Sequence, residues 1–144
     1  MKVSAKVEYA CIALMELAVN HGDGHPVRIK AIAEAHDIPP RFLVQILLLL
    51  KNAGLVASVR GASGGYQLAR SPQHVSLADV FSAFEEKERA PTLSAKLKPS
   101  APARALLAVW SELQAEQKRL LENVTLAELL QRSREDSANL SYQI

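Results

Sequence analysis

Cysteine is almost missing from this chain. Cys11 is the single one among 144 residues, which excludes a disulfide framework within the chain and any multi-cysteine zinc or iron–sulfur site. Long apolar runs are missing too. The most apolar stretch, Phe42 to Leu50, is interrupted by Gln45 and is too short to span a bilayer. The first ten residues carry Lys2, Lys6 and Glu8, not the apolar stretch of a secretory signal. The cytoplasm is therefore the expected location, with no membrane partner. Histidines are few and scattered. His21 and His25 stand four apart, but Gly22, Gly24 and Pro26 break any helix that would pair them as ligands, and His36 and His74 are isolated, so no metal site is expected. No nucleophile–base set or paired carboxylates stand in a pocket-like setting, and neither catalytic residues nor a cofactor are expected. The glycine-rich stretch Gly61 to Gly65 lacks the Gly-Lys-Ser/Thr ending and the strand–loop–helix setting of a nucleotide-binding loop.

What remains is an ordinary globular composition, 49% hydrophobic and 22% charged, which excludes wholesale disorder. The net charge is only +2, but it is unevenly spread. Residues 1–70 hold eight Lys/Arg against five Asp/Glu, and residues 71–144 hold nine against ten. The basic excess lies in the first half and suits a polyanion partner weakly.

The pattern predicts a first helix from Ser4, as N-cap, to about Asn20, with Val7, Cys11, Leu14 and Ala18 on one apolar face. A turn cluster at 21–26 ends it. An extended piece at Val27–Ile29 and a short helix over 30–36 follow. After Asp37-Ile38-Pro39, Pro40 opens a helix to Asn52, since its missing N–H costs nothing at the first position. Leu55–Arg60 and Tyr66–Ala69 read as the arms of a β-hairpin with a glycine-rich tip. Ser76 and Asp79 form a near capping box on a helix to about Glu86. Residues 87–102, with Pro91, Pro99 and Pro102, read as a mobile linker. The longest helix is predicted over 103–124, where Leu106, Trp110, Leu113, Gln117, Leu120 and Val124 make a heptad seam. Thr125 caps a last helix to about Arg134. The division is 1–86, a reading unit; 87–102, the linker; 103–136, dimerisation helices; and 137–144, a frayed tail.

Helix, short helix, proline turn, helix and hairpin is the order of a winged helix-turn-helix, a mostly α fold whose second helix enters the DNA major groove. The side chains placed to touch bases are Arg41, Val44 and Gln45: Gln reads adenine with two hydrogen bonds, and Arg reads guanine or clamps phosphate. At the hairpin tip Arg60 and Ser63 stand among Gly61, Gly64 and Gly65, whose backbone N–H groups approach phosphate; an Arg can enter a narrow minor groove, and Tyr66 closes the set of expected contacts. Lys2, Arg28, Lys30 and Lys51 complete the expected phosphate contacts, and Arg70 is a further basic group of the same kind.

At Arg60-Gly61-Ala62-Ser63-Gly64-Gly65-Tyr66 the chain resembles the wing of the bacterial Rrf-two family of transcription regulators, the group of IscR, NsrR and CymR. The similarity extends to Lys2–Ala10, to Val27–Glu34, to Phe42–Leu47 with Leu50–Val56, to Leu77–Val80 and to Thr125–Leu130. The resemblance implies a homodimer, joined by the long C-terminal helix, that binds a pseudo-palindromic operator in double-stranded DNA. Many members hold an iron–sulfur cluster on three cysteines between the post-wing helix and the dimer helix. Here Phe84 to Pro102 contains no cysteine and no histidine, so that sensing mode is not carried over. Glu8, near a position where some members supply a non-cysteine ligand, reads as a surface carboxylate. Several members read cytosine with a Glu where this chain has Val44, so their operator is not carried over either; a valine offers only apolar contact, such as with a thymine methyl. Cys11, on an inward helix face, reads as a small buried hydrophobe.

Two functions are thus in play. The first is a dimeric, sequence-specific transcription regulator, of repressor type, without a cluster. The second is a winged-helix module for protein–protein contact, which the modest net charge and the all-apolar stretch Ile46 to Leu50, too apolar for Leu48 and Leu49 both to pack inward, keep open. The sensed signal, a small effector or a partner protein, is not written in the sequence.

Overall fold

A computed structural model describes residues 2–85 and 96–142. It shows six helices and one two-stranded sheet: α1 Ala5–Val19, α2 Ile29–His36, α3 Pro40–Asn52, β1 Val56–Val59, β2 Gly65–Leu68, α4 Leu77–Ala83, α5 Ala101–Asn123 and α6 Leu126–Tyr142. This is the mostly helical winged helix-turn-helix the sequence predicts.

The local chemistry sets the element ends. The Ser4 hydroxyl accepts from the Val7 amide at 3.3 Å and caps α1. Its buried face is wider than the predicted stripe, with Val7, Ala10, Ala13, Leu14, Leu17 and Ala18 all buried and Cys11 only half-buried. The small alanines let neighbouring helices close in on α1. Asp37 ends α2 in the left-handed conformation, φ 52° and ψ 44°, a geometry Asp tolerates better than most residues. That turn sends Ile38 into the core, its amide bonded to the Ala33 carbonyl at 3.0 Å. Pro40 opens α3 as predicted, and Leu43, Ile46, Leu47 and Leu50 form its buried side.

The hairpin pairs Val56 with Leu68 at its base and Val59 with Gly65 at its tip. Val56 and Leu68 are buried and anchor it to the helices. Val27 adds a third, single-residue strand, exchanging two 2.8 Å hydrogen bonds with Tyr66. Ser76 and Asp79 complete the capping box of α4, with bonds of 2.9 and 3.2 Å. That helix ends at Ala83, earlier than predicted. Residues 86–95, which hold Glu86 and most of the predicted linker, lie outside the described residues.

Three boundaries differ in the C-terminal part. Helix α5 begins at Ala101, because Ser100 caps it (Ala103 N–H to Oγ, 3.3 Å) and Pro102 falls in the first turn, where no amide is required. Val124, predicted as the last residue of the seam, is extended rather than helical, with φ −97° and ψ 116°. Its carbonyl accepts from the Leu77 amide at 2.9 Å, within a short bridge between Ser76 and Thr125. Thr125 caps α6 as predicted (Glu128 N–H to Oγ1, 3.2 Å), but the helix runs to Tyr142, past the predicted stop near Arg134 and through most of the predicted tail. Leu126 and Leu130 are buried in the same core as α1. The last helix therefore closes the core that the first one opens.

Candidate nucleic-acid interface

Helix α3 has a buried side and an opposite one. With Leu43, Ile46, Leu47 and Leu50 turned inward, the 3.6-residue period turns Arg41, Val44, Gln45 and Leu48 outward as neighbours at i, i+3, i+4 and i+7. All four are exposed, as is Phe42 beside them. The core thereby fixes which α3 side chains are left to the surface. The side chains of Arg41 and Gln45 have no hydrogen-bond or ion-pair partner among the described residues, so either can take a new bond without first breaking one.

The wing is tied at two places, to the end of α3 and to the start of α2. Lys51, in the last turn of α3, donates from Nζ to the Ser58 hydroxyl on β1 at 2.8 Å. Arg28, the residue before α2, donates from its guanidinium to the Ala62 carbonyl at the wing tip. Glycine is required where the wing folds back. A Cβ on Gly65, whose φ is 152°, would stand 2.5 Å from the Val27 carbonyl oxygen, and one on Gly64 would strike the Val59 carbonyl. These two glycines let the strands close and leave Arg60, Gly61, Ala62 and Ser63 as an exposed tip.

The predicted contact residues thus divide. Arg41, Val44, Gln45, Arg60, Gly61 and Ser63 are exposed on α3 and the tip. Gly64 is buried and Gly65 half-buried, so they shape the tip from behind. Tyr66 packs partly against the core and pairs with Val27. Arg28 and Lys51 are exposed, yet each already holds a bond to the wing. Lys30 lies 3.9 Å from Glu34 in an exposed i,i+4 pair, and Lys2 is exposed ahead of α1. Arg70 faces Asp79 of the α4 cap at 3.8 Å. Sequence reasoning missed the Arg28–Ala62 and Lys51–Ser58 bonds, since both join residues whose neighbourhood only the folded chain creates.

Helix α5 carries the second exposed feature. Leu106, Trp110, Leu113 and Leu120 of the predicted seam are about half exposed, and Gln117 is exposed among them. Val109, at 48% exposure, joins that row; its place one turn after Leu106 was the signal available. Ala103 is buried, Leu107 and Leu121 are half-buried, and they lie on a flank that adjoins the seam. Helix α5 thus turns one flank toward α4 and leaves the seam uncovered by the described residues. Between α4 and α5 lies an open cleft of about 640 Å³ lined by Phe81, Ser82, Gln114, Gln117 and Leu121 among others.

The profile of the Rrf2 family, described as iron-dependent transcriptional regulators, matches residues 3–132. CymR of Bacillus subtilis, an HTH-type transcriptional regulator, is 35% identical over 129 residues, which covers 90% of this chain and 89% of CymR. The solved structure of CymR, the global cysteine regulator of B. subtilis, aligns at a TM-score of 0.76 with 32% identity, covering 92% of this chain and 98% of that one. IscR of T. potens aligns at 0.74 with 33% identity, over 94% and 90%.

The iron in the family description does not find its ligands here. A cluster needs several thiolates, and Cys11 is the single cysteine. Its thiol is pushed up to about 11, first by burial and then by the Glu8 carboxylate, so it is protonated at neutral pH. Among the described residues no three His, Cys, Asp or Glu side chains gather around a metal-sized space, and residues 86–95 contain neither Cys nor His. The donor set does not fit an iron–sulfur cluster. In fold, in wing and over nine-tenths of its length, the chain belongs to the Rrf2 family of helix-turn-helix transcriptional regulators.

Proposed function

We propose that this DNA-binding transcription regulator works as a cytoplasmic homodimer that represses by occupying a pseudo-palindromic operator, without an iron–sulfur cluster. The observation that carries the reading is the exposed row Arg41, Val44, Gln45 and Leu48 on α3, a helix whose last turn is bonded to the wing strand β1 through Lys51. Arg41 and Gln45 reach base edges, while Arg60, Lys2, Lys30 and the Gly61–Ser63 backbone hold phosphate and set the register. Arg28, Lys51, Gly64, Gly65 and Tyr66 serve the same contact by holding the wing. Phosphate-binding cations release counterions, so affinity falls steeply with salt.

The dimer reading rests on α5. An uncovered row of Leu106, Val109, Trp110, Leu113 and Leu120 on one helix face is costly to leave in water, and a two-fold partner buries it against its own copy. In this reading residues 1–86 form the reading unit, 87–102 connect, and 103–136 carry dimerisation, with α6 also sealing the core. No described helix is long and apolar enough to cross a membrane, and the relatives are regulators rather than enzymes.

In vitro selection from random duplex DNA by the purified, aerobic full-length chain tests the proposal. A two-fold symmetric site is expected. An enriched site without two-fold symmetry contradicts the dimer, and no enrichment at all contradicts sequence-specific binding.

A further inference from the structure

The face that α3 turns outward is unusually apolar for a helix that reads nucleic acid. Val44 is 50% exposed and Leu48 54% exposed. They are four residues apart, so they stand one above the other, one turn apart, on the same side. Gln45 lies beside them, and Arg41 begins the row. No acidic residue occurs anywhere in α3. Cations stand at both ends of the row: Arg41 opens it, and Lys51 follows Leu48 by three residues. An apolar strip bordered by cations and bare of carboxylates suits an anionic surface that also offers apolar groups.

Ordinary duplex DNA offers one apolar group on its major-groove base edges, the C5 methyl of thymine. Guanine and cytosine present only acceptors and a donor there, so Val44 or Leu48 laid against a G·C pair would desolvate those polar atoms without replacing their bonds to water. Gln45 fits the same neighbourhood, because a side-chain amide donates to N7 and accepts from N6 of adenine. We propose that α3 reads an A·T-rich half-site, with Val44 and Leu48 packed on thymine methyl groups and Gln45 paired to an adenine next to them. The inference rests on the regulator reading above and adds the class of base sequence recognised. Val44 and Leu48 are then specificity-determining residues rather than tolerated surface hydrophobics.

The test uses uracil, which keeps every hydrogen-bonding edge of thymine and lacks only the methyl. The full-length chain is titrated with the selected site and with duplexes in which single thymines are replaced by deoxyuridine. Burying one methyl is worth about 0.8 kcal/mol, which converts to about a fourfold change in affinity. Uracil is expected to cost about fourfold at one or two positions in each half-site, about 15-fold when both half-sites change together, and nothing outside them. The Val44→Ala variant, altered at an exposed position, is expected to stay folded and to lose the uracil penalty at its own position only. A selected site that is G·C-rich under α3, or uracil neutral at every position of a specifically bound site, overturns this inference and leaves the regulator reading standing. Absence of any enriched sequence overturns both.

Discussion

Nζ of Lys51 stands 2.8 Å from the hydroxyl of Ser58, so the last turn of α3 and the first strand of the wing are bonded to each other. In the proposed complex that bond joins the base-reading helix to the wing. In the bound state the same ammonium has two further donors for phosphate. Lys51→Ala is expected to weaken binding to all duplexes alike and to reduce the slope of log affinity against log salt by about one. Ser58→Ala, which keeps the charge, is expected to leave the slope unchanged. Binding titrations across a salt series on operator and scrambled DNA distinguish the two.

Arg28 is the basic residue whose expected role changes most. Its guanidinium is bonded to the Ala62 carbonyl, immediately after the Val27–Tyr66 pairing that ties the wing to the entry of α2. We expect Arg28→Ala to loosen the tip that presents Arg60, so that the two residues act as one unit. A double-mutant cycle of Arg28→Ala with Arg60→Ala should show a coupling of about 0.5–3 kcal/mol in DNA binding. Additive losses would instead place Arg28 on phosphate independently of the wing.

Gly65→Ala is expected to destabilise the wing by more than about 1 kcal/mol, because the new methyl meets the Val27 carbonyl at a φ that L side chains rarely adopt. The expected readout is loss of amide-exchange protection at Val27 and Tyr66, whose amides bond each other's carbonyls, with α1 unaffected.

Cys11 supplies a pH prediction. Its thiol is raised from 9.0 to about 11, by burial first and Glu8 second. The thiolate is the reactive form, so alkylation of the folded chain is expected to rise with a midpoint near 11 rather than 9. The sign for stability follows. Below pH 9 both states hold the proton and nothing changes; from 9 to 11 the unfolded state gives it up first, so folding stability falls as pH rises. An alkylation midpoint at or below 9 would contradict the burial of the thiol.

Leu113→Asp places a carboxylate in the exposed row of α5. Sedimentation is expected to show a monomer for this variant and a dimer for the parent chain, with the helical content unchanged. A dimer in both would move the pairing surface elsewhere.

Much of this was legible in the sequence because it is written in short-range chemistry. Ser4, Pro40, Ser76 with Asp79, and Thr125 each act within one helical turn, and each caps or opens the helix it predicts. The outward row of α3 followed from its period. The misreadings came where long-range packing overrides local pattern. Val124 keeps the heptad spacing, yet its carbonyl is drawn to Leu77 and the helix ends before it. The roles of Arg28 and Lys51 were hidden for the same reason, since Ala62 lies 34 residues from one and Ser58 seven from the other. The end of α6 is a different case: residues 131–140 are exposed, and the helix reaches Tyr142 because no Gly or Pro stands after Arg134 to stop it.

In the proposed complex α3 reads bases while the wing and its supports hold the backbone. Affinities of the parent chain and of Gln45→Ala for the selected site and for a scrambled duplex, at one near-physiological salt concentration, test it most directly. A loss of about 1–3 kcal/mol is expected on the selected site, with the scrambled duplex bound as before. Equal losses on both duplexes would contradict it.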